Sequence, residues 1–562
     1  MRKISLIIFI ITGSLLYQTN LFSKIVENNN FNQKYLSSYF SALLSYDNQN
    51  NQKALKYFNS SKFLLNKHDK FLREYIFSLV ENGELSKAIN QIKLSKNKNS
   101  SKFFEAKLLL VIDDMKKKNF SKAKSDLAEL IEFQGNGTYE YIIYETLKSY
   151  NNLFFNNIID EDQENFGKLS LITLAFQNCF KNSDKTSEYF INLINTVDGD
   201  YSRYIFFYLA NLASNKNFED VKNTSSSIES LSSGLLILQA KEWIDTLKFK
   251  KFNQHFSCKS SNDLLAEFFF LISNLYSSQE EYQKSNFYLN ISNFLNPKFY
   301  FNLSLLAENY ILNENYESAK KIYKKFNNND QVYRWHKIKQ IGKIIEIKQN
   351  DEEALLFIEN EFKKIKKPSI KILFDLANIY KRNKNFNKSI KYYSTILLKL
   401  EKNSDAYASI LYRRGGSYER LGDYKSSDKD LIKSLEINPD APYVLNYLAY
   451  SWLERKYKID EAIEMLDRAY SKKKNDPYII DSVGWGYYLI GDYLNAEKYI
   501  KKAVILMPDD PVVNDHYGDI LWMLNRKLQA KYFWENVLNL ESADDEMKKK
   551  IKEKLLNGPN KI

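Results

Sequence analysis

The chain has 562 residues, 44% of them hydrophobic, a length that exceeds one ordinary core and suits several domains or an extended array. Only 16 Gly and 8 Pro occur, so turns are scarce and the sequence reads as mostly helix, with 41 Tyr and 37 Phe supplying much of the core. A formal net charge of +12 would suit nucleic acid or an anionic membrane, but the basic residues are nearly all Lys scattered among Asn, so solvated helix faces are expected and a nucleic-acid partner is not.

The first residues, MRKISLIIFIITGSLLYQTNLFSK, open with Arg2 and Lys3, continue with an apolar run from Ile4 to Leu16, and offer a cleavage site after Ser23. That order is the one of a secretory signal, and the run is short for a membrane span. Leu21 occupies the position three residues before the cleavage site, where a small residue is usual, so residues 1–23 read as a signal peptide or as an uncleaved signal anchor. No cysteine lies nearby to accept a lipid. The expected location is exported: periplasmic or envelope-associated, with a membrane tether if the signal is retained.

Residues 24–131 carry a faint period. Ala54, Ala88 and Ala123 are 34 and 35 residues apart, each in the second helix of a candidate helical pair. Over 132–264 the register is lost, and irregular helical pairs are expected to continue the array. Two cysteines, Cys179 and Cys258, fall in this stretch; they are buried singles or one disulfide in an oxidising compartment. The histidines are His68, His255, His336 and His516, and without a CxxC or HExxH pattern no metal or other cofactor is expected.

From 265 to 542 the period is explicit. Gly415, Gly484 and Gly518 correspond, as do Tyr418, Tyr487 and Leu521, then Ser427, Ala496 and Ala530, and Gly484 lies 34 residues before Gly518. Pro439 and Pro508 close their units. Upstream, Ala307, Tyr310, Tyr316 and Ala319, and then Ala377, Tyr380, Phe386 and Ser389, repeat the pattern. This resembles the tetratricopeptide repeat, a helix–turn–helix of 34 residues with small residues at positions 8 and 20 and aromatics at 11 and 24. The resemblance implies an all-α, right-handed solenoid of stacked units, eight of them over 265–542, in which positions 8 and 20 let two backbones approach. Residues 543–562 follow as a capping helix and tail, with Met547, Ile551 and Leu555 on one face and Gly558 and Pro559 as the stop.

The glycines of VGWGYYLIG could suggest a phosphate loop, but a dinucleotide fingerprint needs GxGxxG after a strand, and Leu489 holds the third glycine's place within helical flanks. Gly484 is expected to contact Ala496, and Gly486 has no role that the repeat requires. No catalytic motif appears, so an enzyme is not expected.

In tetratricopeptide proteins a second stripe of the first helix lines a concave groove. The resemblance places Asn446, Tyr450, Asp481, Trp485, Tyr488, Asp515, Asp519 and Trp522 there, an acidic and aromatic groove suited to a partner carrying Lys, Arg or an amino terminus. Lys371, Asn378, Lys381 and Arg382 form a basic stretch suited to an acidic ligand. Trp485→Ala is then expected to weaken partner binding and leave stability nearly unchanged. Length, export signal and C-terminal repeats resemble a group of exported proteobacterial tetratricopeptide proteins that includes an outer-membrane adaptor of a C-terminal processing protease. This implies a non-enzymatic scaffold or adaptor that binds proteins or peptides, among them an envelope protease and its substrates. The alternatives are a permanent structural part of an envelope assembly or secretion machine, or a glycan-binding module.

Overall fold

The computed structural model describes residues 33–559 apart from 66–67, 69, 96–100, 134, 136–137, 161–163, 197–201, 227 and 230; the export segment expected at 1–23 lies outside the described residues. The fold is all-α: thirty α-helices, and no strand among the described residues. Successive helices pair as antiparallel hairpins, and hairpins stack into an α-solenoid.

Two compact units divide the chain: unit 1 is Met1–Ile228 with Ser233–Ile344, and unit 2 is Glu229–Ser232 with Ile345–Ile562. The division falls inside the helix Gln331–Lys348, so the run expected as one array over 265–542 contributes to both units.

One turn geometry recurs in both. A residue in the left-handed region ends the first helix of a hairpin, and the next residue donates its N–H to a carbonyl five residues earlier, as Glu84 does to Leu79 at 2.8 Å and Asp492 to Tyr487 at 2.9 Å. In several of these turns that next residue also caps the second helix: Asn315, Asn385, Asp423 and Asp492 each accept an N–H from three residues on. The left-handed residues recover the register that is lost in the sequence. Gln49, Gly83 and Lys118 are 34 and 35 apart, and Asn182, Lys216, Leu247 and Glu280 follow at 34, 31 and 33. The irregular stretch 132–264 thus holds the same hairpins, with Asn182, Lys216 and Leu247 taking the backbone conformation that Gly83, Gly422 and Gly491 adopt without a Cβ clash.

Unit 1 winds back on itself. Lys116 donates to the Phe294 carbonyl at 2.5 Å with its ammonium 3.3 Å from that ring's centre, and Asn315 donates to the Gln49 carbonyl at 2.9 Å. Its core is aromatic, and the half-buried Arg203 packs on it, paired with buried Glu267 at 2.6 Å and lying over Phe270 at 3.9 Å. Cys179 and Cys258 form a disulfide across 79 residues.

In unit 2 the small positions face large neighbours. A Cβ on Gly484 would lie 2.5 Å from Ile500 Cγ1, and one on Gly518 2.3 Å from Trp534 Nε1. The atoms nearest the Gly484 position are those of Ile500, one turn beyond the expected Ala496. Gly486 also has a role: its Cβ would meet Ile463, Leu466 and Leu453 of the preceding hairpin at 3.0, 3.1 and 3.2 Å. The last helix, Asp545–Asn557, buries Ile551 completely and ends at Gly558.

Candidate interaction surface

The first helices of unit 2 are Ile370–Arg382, Asp405–Arg420, Pro442–Glu454, Pro477–Leu489 and Pro511–Met523. Their starts are set by Ser369, Ser404, Asp476 and Asp510, whose side chains accept N–H groups of the first turn, and by Pro at the first position of the last three. Neighbouring first helices interlock through side chains from the sixth position of one onto the fifth of the one before. The Arg413 guanidinium lies 5.0 Å from the Phe374 ring centre, Tyr447 meets Tyr412 edge-on at 5.8 Å, and His516 Nδ1 is 3.0 Å from Asp481.

At the C-terminal end these contacts consume the expected acidic groove. Asp481 is buried against His516. Burial alone would depress the imidazole, but Asp481, with Asp515 and Asp519 near, holds it above its ordinary pKa. Lys554 of the last helix bridges Asp515 at 2.6 Å and Asp519 at 2.8 Å. Asp519 also accepts from Trp534 Nε1 at 3.2 Å; burial first, and then Asp515, push its carboxyl up to about 6 against the pull of Lys554. An incoming cation would therefore meet carboxylates already matched by the chain's own His516 and Lys554.

The aromatics there carry packing. Trp485 stacks on His516 at 3.9 Å and on Tyr488 at 4.5 Å, and its Nε1 donates to Glu454 at 2.6 Å. Tyr488 is buried, 2% exposed. Trp522 packs against Trp534 at 5.4 Å and against Gly558, where a Cβ would lie 2.6 Å from the indole. Asn446 and Tyr450 are half-buried, and burial, with Glu454 and Asp481 near, raises the Tyr450 phenol.

At the other end, three of the four expected residues are held within unit 2. Lys371 donates to the Leu231 carbonyl at 2.6 Å and pairs with Asp375 at 3.0 Å. Asn378 accepts from the Tyr393 hydroxyl at 2.5 Å, and Arg382 pairs with Glu346 at 2.7 Å. Lys381 differs. Among the described residues no carboxylate comes within ion-pair distance of its ammonium; its one hydrogen-bond contact is the Arg413 carbonyl at 3.5 Å. Burial, then Arg413 and Arg420, bring its pKa down to about 8 although Glu419 opposes them. It points at a notch left by Gly416, whose Cβ would lie 3.0 Å from Lys381 Nζ and 3.3 Å from the Tyr447 hydroxyl. Glu419, at the rim, accepts from Tyr447 at 2.9 Å and pairs with Arg420 at 3.5 Å. Arg413 and Tyr447 escape a reading of the repeat stripe, because the sixth position is counted there as neither core nor groove, and Gly416, at the ninth, brings no side chain to the groove. The one local signal is the second glycine of the Gly415–Gly416 pair.

Residues 370–397 and 408–441 match the tetratricopeptide repeat family. Those two stretches of unit 2 are similar to tetratricopeptide repeats. The two matched stretches hold Lys381, Arg413 and Gly416, so the notch lies between two tetratricopeptide units. A TPR repeat-containing protein of Pseudomonas aeruginosa is 33% identical over 111 residues, 20% of this chain and 19% of its own length. Among solved structures, a tetratricopeptide repeat protein from Parabacteroides merdae is similar over 45% of this chain and 97% of its own, at 19% identity and a TM-score of 0.38. A MamA segment from Desulfovibrio magneticus RS-1 is similar over 31% of this chain and 97% of its own, at 20% identity and a TM-score of 0.27. Tetratricopeptide repeats generally mediate protein–protein interaction, and the fold is typically a non-enzymatic scaffold.

Proposed function

We propose that the chain is a non-enzymatic scaffold of the cell envelope whose unit 2 takes an acidic segment of a partner protein at the Lys381 notch. The observation that carries this is the partly buried Lys381 ammonium, which reaches into the space left by Gly416 and has no carboxylate within ion-pair distance among the described residues. A buried cation without a counter-charge is costly, and an incoming carboxylate relieves that cost. Arg413 and Arg420 add positive charge on the same side. The acidic end is the weaker candidate, since Lys554 and His516 already occupy it.

The envelope location rests on the signal-like residues 1–23 and is supported by the Cys179–Cys258 disulfide, a bond that persists in oxidising compartments. Among the described residues no helix is long and apolar enough to cross a membrane, so a tether would fall to the N-terminal segment. An adaptor that presents acidic segments to an envelope protease fits this surface.

A photo-crosslinking amino acid at exposed position 420, with one at exposed position 494 as control, tests the reading in envelope fractions. The expected product is an acidic partner segment joined at 420 and absent at 494 and in Lys381→Gln. Equal labelling at both positions, or labelling that survives Lys381→Gln, contradicts it.

A further inference from the structure

A cavity of about 50 Å3 in unit 1 is walled by Trp243, Tyr300, Tyr333, Asp330 and His255, with exposed Lys251 and Asn327 completing its lining. It is built by the end of the helix Leu235–Asp245, the short helix Lys250–His255, the turn before Phe301–Leu312, and the start of Gln331–Lys348. Asp330 Oδ1 accepts the N–H groups of Val332 and Tyr333, each at 3.1 Å, and so caps that last helix. Among the described residues no cation lies within ion-pair distance of the carboxylate, and burial holds its pKa above the ordinary range despite those two amides and the nearby His255 and Lys251. His255 Nδ1 lies 2.9 Å from the Lys251 carbonyl. A carbonyl only accepts, so Nδ1 carries the proton and Nε2 keeps a lone pair. Burial depresses this imidazole, which is neutral near pH 7, and the ring lies against Trp243 with centroids 4.8 Å apart.

We propose that this cavity binds a primary ammonium group. Its carboxylate and imidazole Nε2 can accept hydrogen bonds, and three aromatic rings, which attract cations, are among its lining residues. An anion would be repelled by Asp330, and an apolar group would leave the carboxylate dry and unpaired. A quaternary ammonium has no N–H for His255. The volume exceeds the roughly 10–15 Å3 that holds one water, which leaves room for an ammonium head and its first methylene. The source is a lysine side chain of a partner protein or a small free amine.

Calorimetric titration of the disulfide-bonded full chain with Nα-acetyl-lysine methylamide, its Nε-acetylated counterpart and methylammonium tests this. Saturable binding of the free amines and none of the acetylated compound is expected. Tighter binding of the lysine derivative than of methylammonium identifies a protein lysine as the source, and the reverse order a free amine. Asp330→Asn keeps a helix-capping side chain and removes the charge, so affinity should fall by about tenfold or more with the melting temperature unchanged. Tyr300→Leu should also weaken binding, and Lys251→Gln should strengthen it by removing a competing charge. The proposal is overturned if wild type shows no saturable binding, if the acetylated compound binds as well, or if folded Asp330→Asn and Tyr300→Leu both retain full affinity.

Discussion

The imidazole of His516 lies nearly parallel to the indole of Trp485, their centroids 3.9 Å apart and their planes 13° apart, while His516 Nδ1 sits 3.0 Å from Asp481. Trp485 is thus part of the joint between two successive first helices, in addition to facing the side where a ligand would lie. The expectation that Trp485→Ala spares stability changes accordingly. Losing the stacks with His516 and Tyr488 and the bond to Glu454 should cost unit 2 about 2 kcal/mol, measured as a lower denaturant midpoint.

The same pair makes unit 2 sensitive to pH. The His516 pKa is raised in the fold, so its contribution is complete below the ordinary imidazole value of 6.5 and is lost as pH rises through the higher folded value. Denaturant midpoints across that range should fall with rising pH in wild type. In His516→Gln they should start lower and vary less. Parallel pH profiles for the two proteins would remove His516 from the account.

Two glycines should respond differently to alanine. A Cβ on Gly518 would fall 2.3 Å from the Trp534 indole, so Gly518→Ala should destabilise by about 1–3 kcal/mol. At Gly486 the neighbours are the flexible ends of Ile463, Leu466 and Leu453 at 3.0–3.2 Å, and a helix gains about 1 kcal/mol from Ala over Gly. Gly486→Ala should therefore be close to neutral, and thermal melting of the two variants side by side checks the contrast.

The disulfide closes 79 residues within unit 1. Replacing both cysteines by serine should cost unit 1 roughly 2–4 kcal/mol, and a reducing agent should lower the wild-type melting temperature but not that of the double variant.

The solenoid and its last repeats were legible because Gly415, Gly484, Gly518 and the following Ser427, Ala496 and Ala530 hold one phase. The register of 132–264 was not, because its turns use Asn182, Lys216 and Leu247 in a left-handed conformation that advertises itself in sequence only when the residue is glycine. The candidate surface was legible as a stripe of positions and not as a set of partners. A carboxylate at a groove position carries no mark that a lysine 35 residues away will bind it, as Lys554 binds Asp519. Lys381 shares a stripe with Lys371 and Arg382, and only the contacts to Leu231, Asp375 and Glu346 separate the two engaged cations from the third.

The most direct test of the central claim is the pH dependence of binding between unit 2's notch and the acidic segment recovered at position 420, measured for wild type and Lys381→Gln. An anion binds the charged form of Lys381, whose pKa in the free protein is about 8, so wild-type affinity should hold below that pH and fall by up to about tenfold per unit above it. Lys381→Gln should bind at least about tenfold more weakly and lose that dependence. Equal affinities for the two proteins, or a wild-type profile that stays flat through pH 8, would contradict the account.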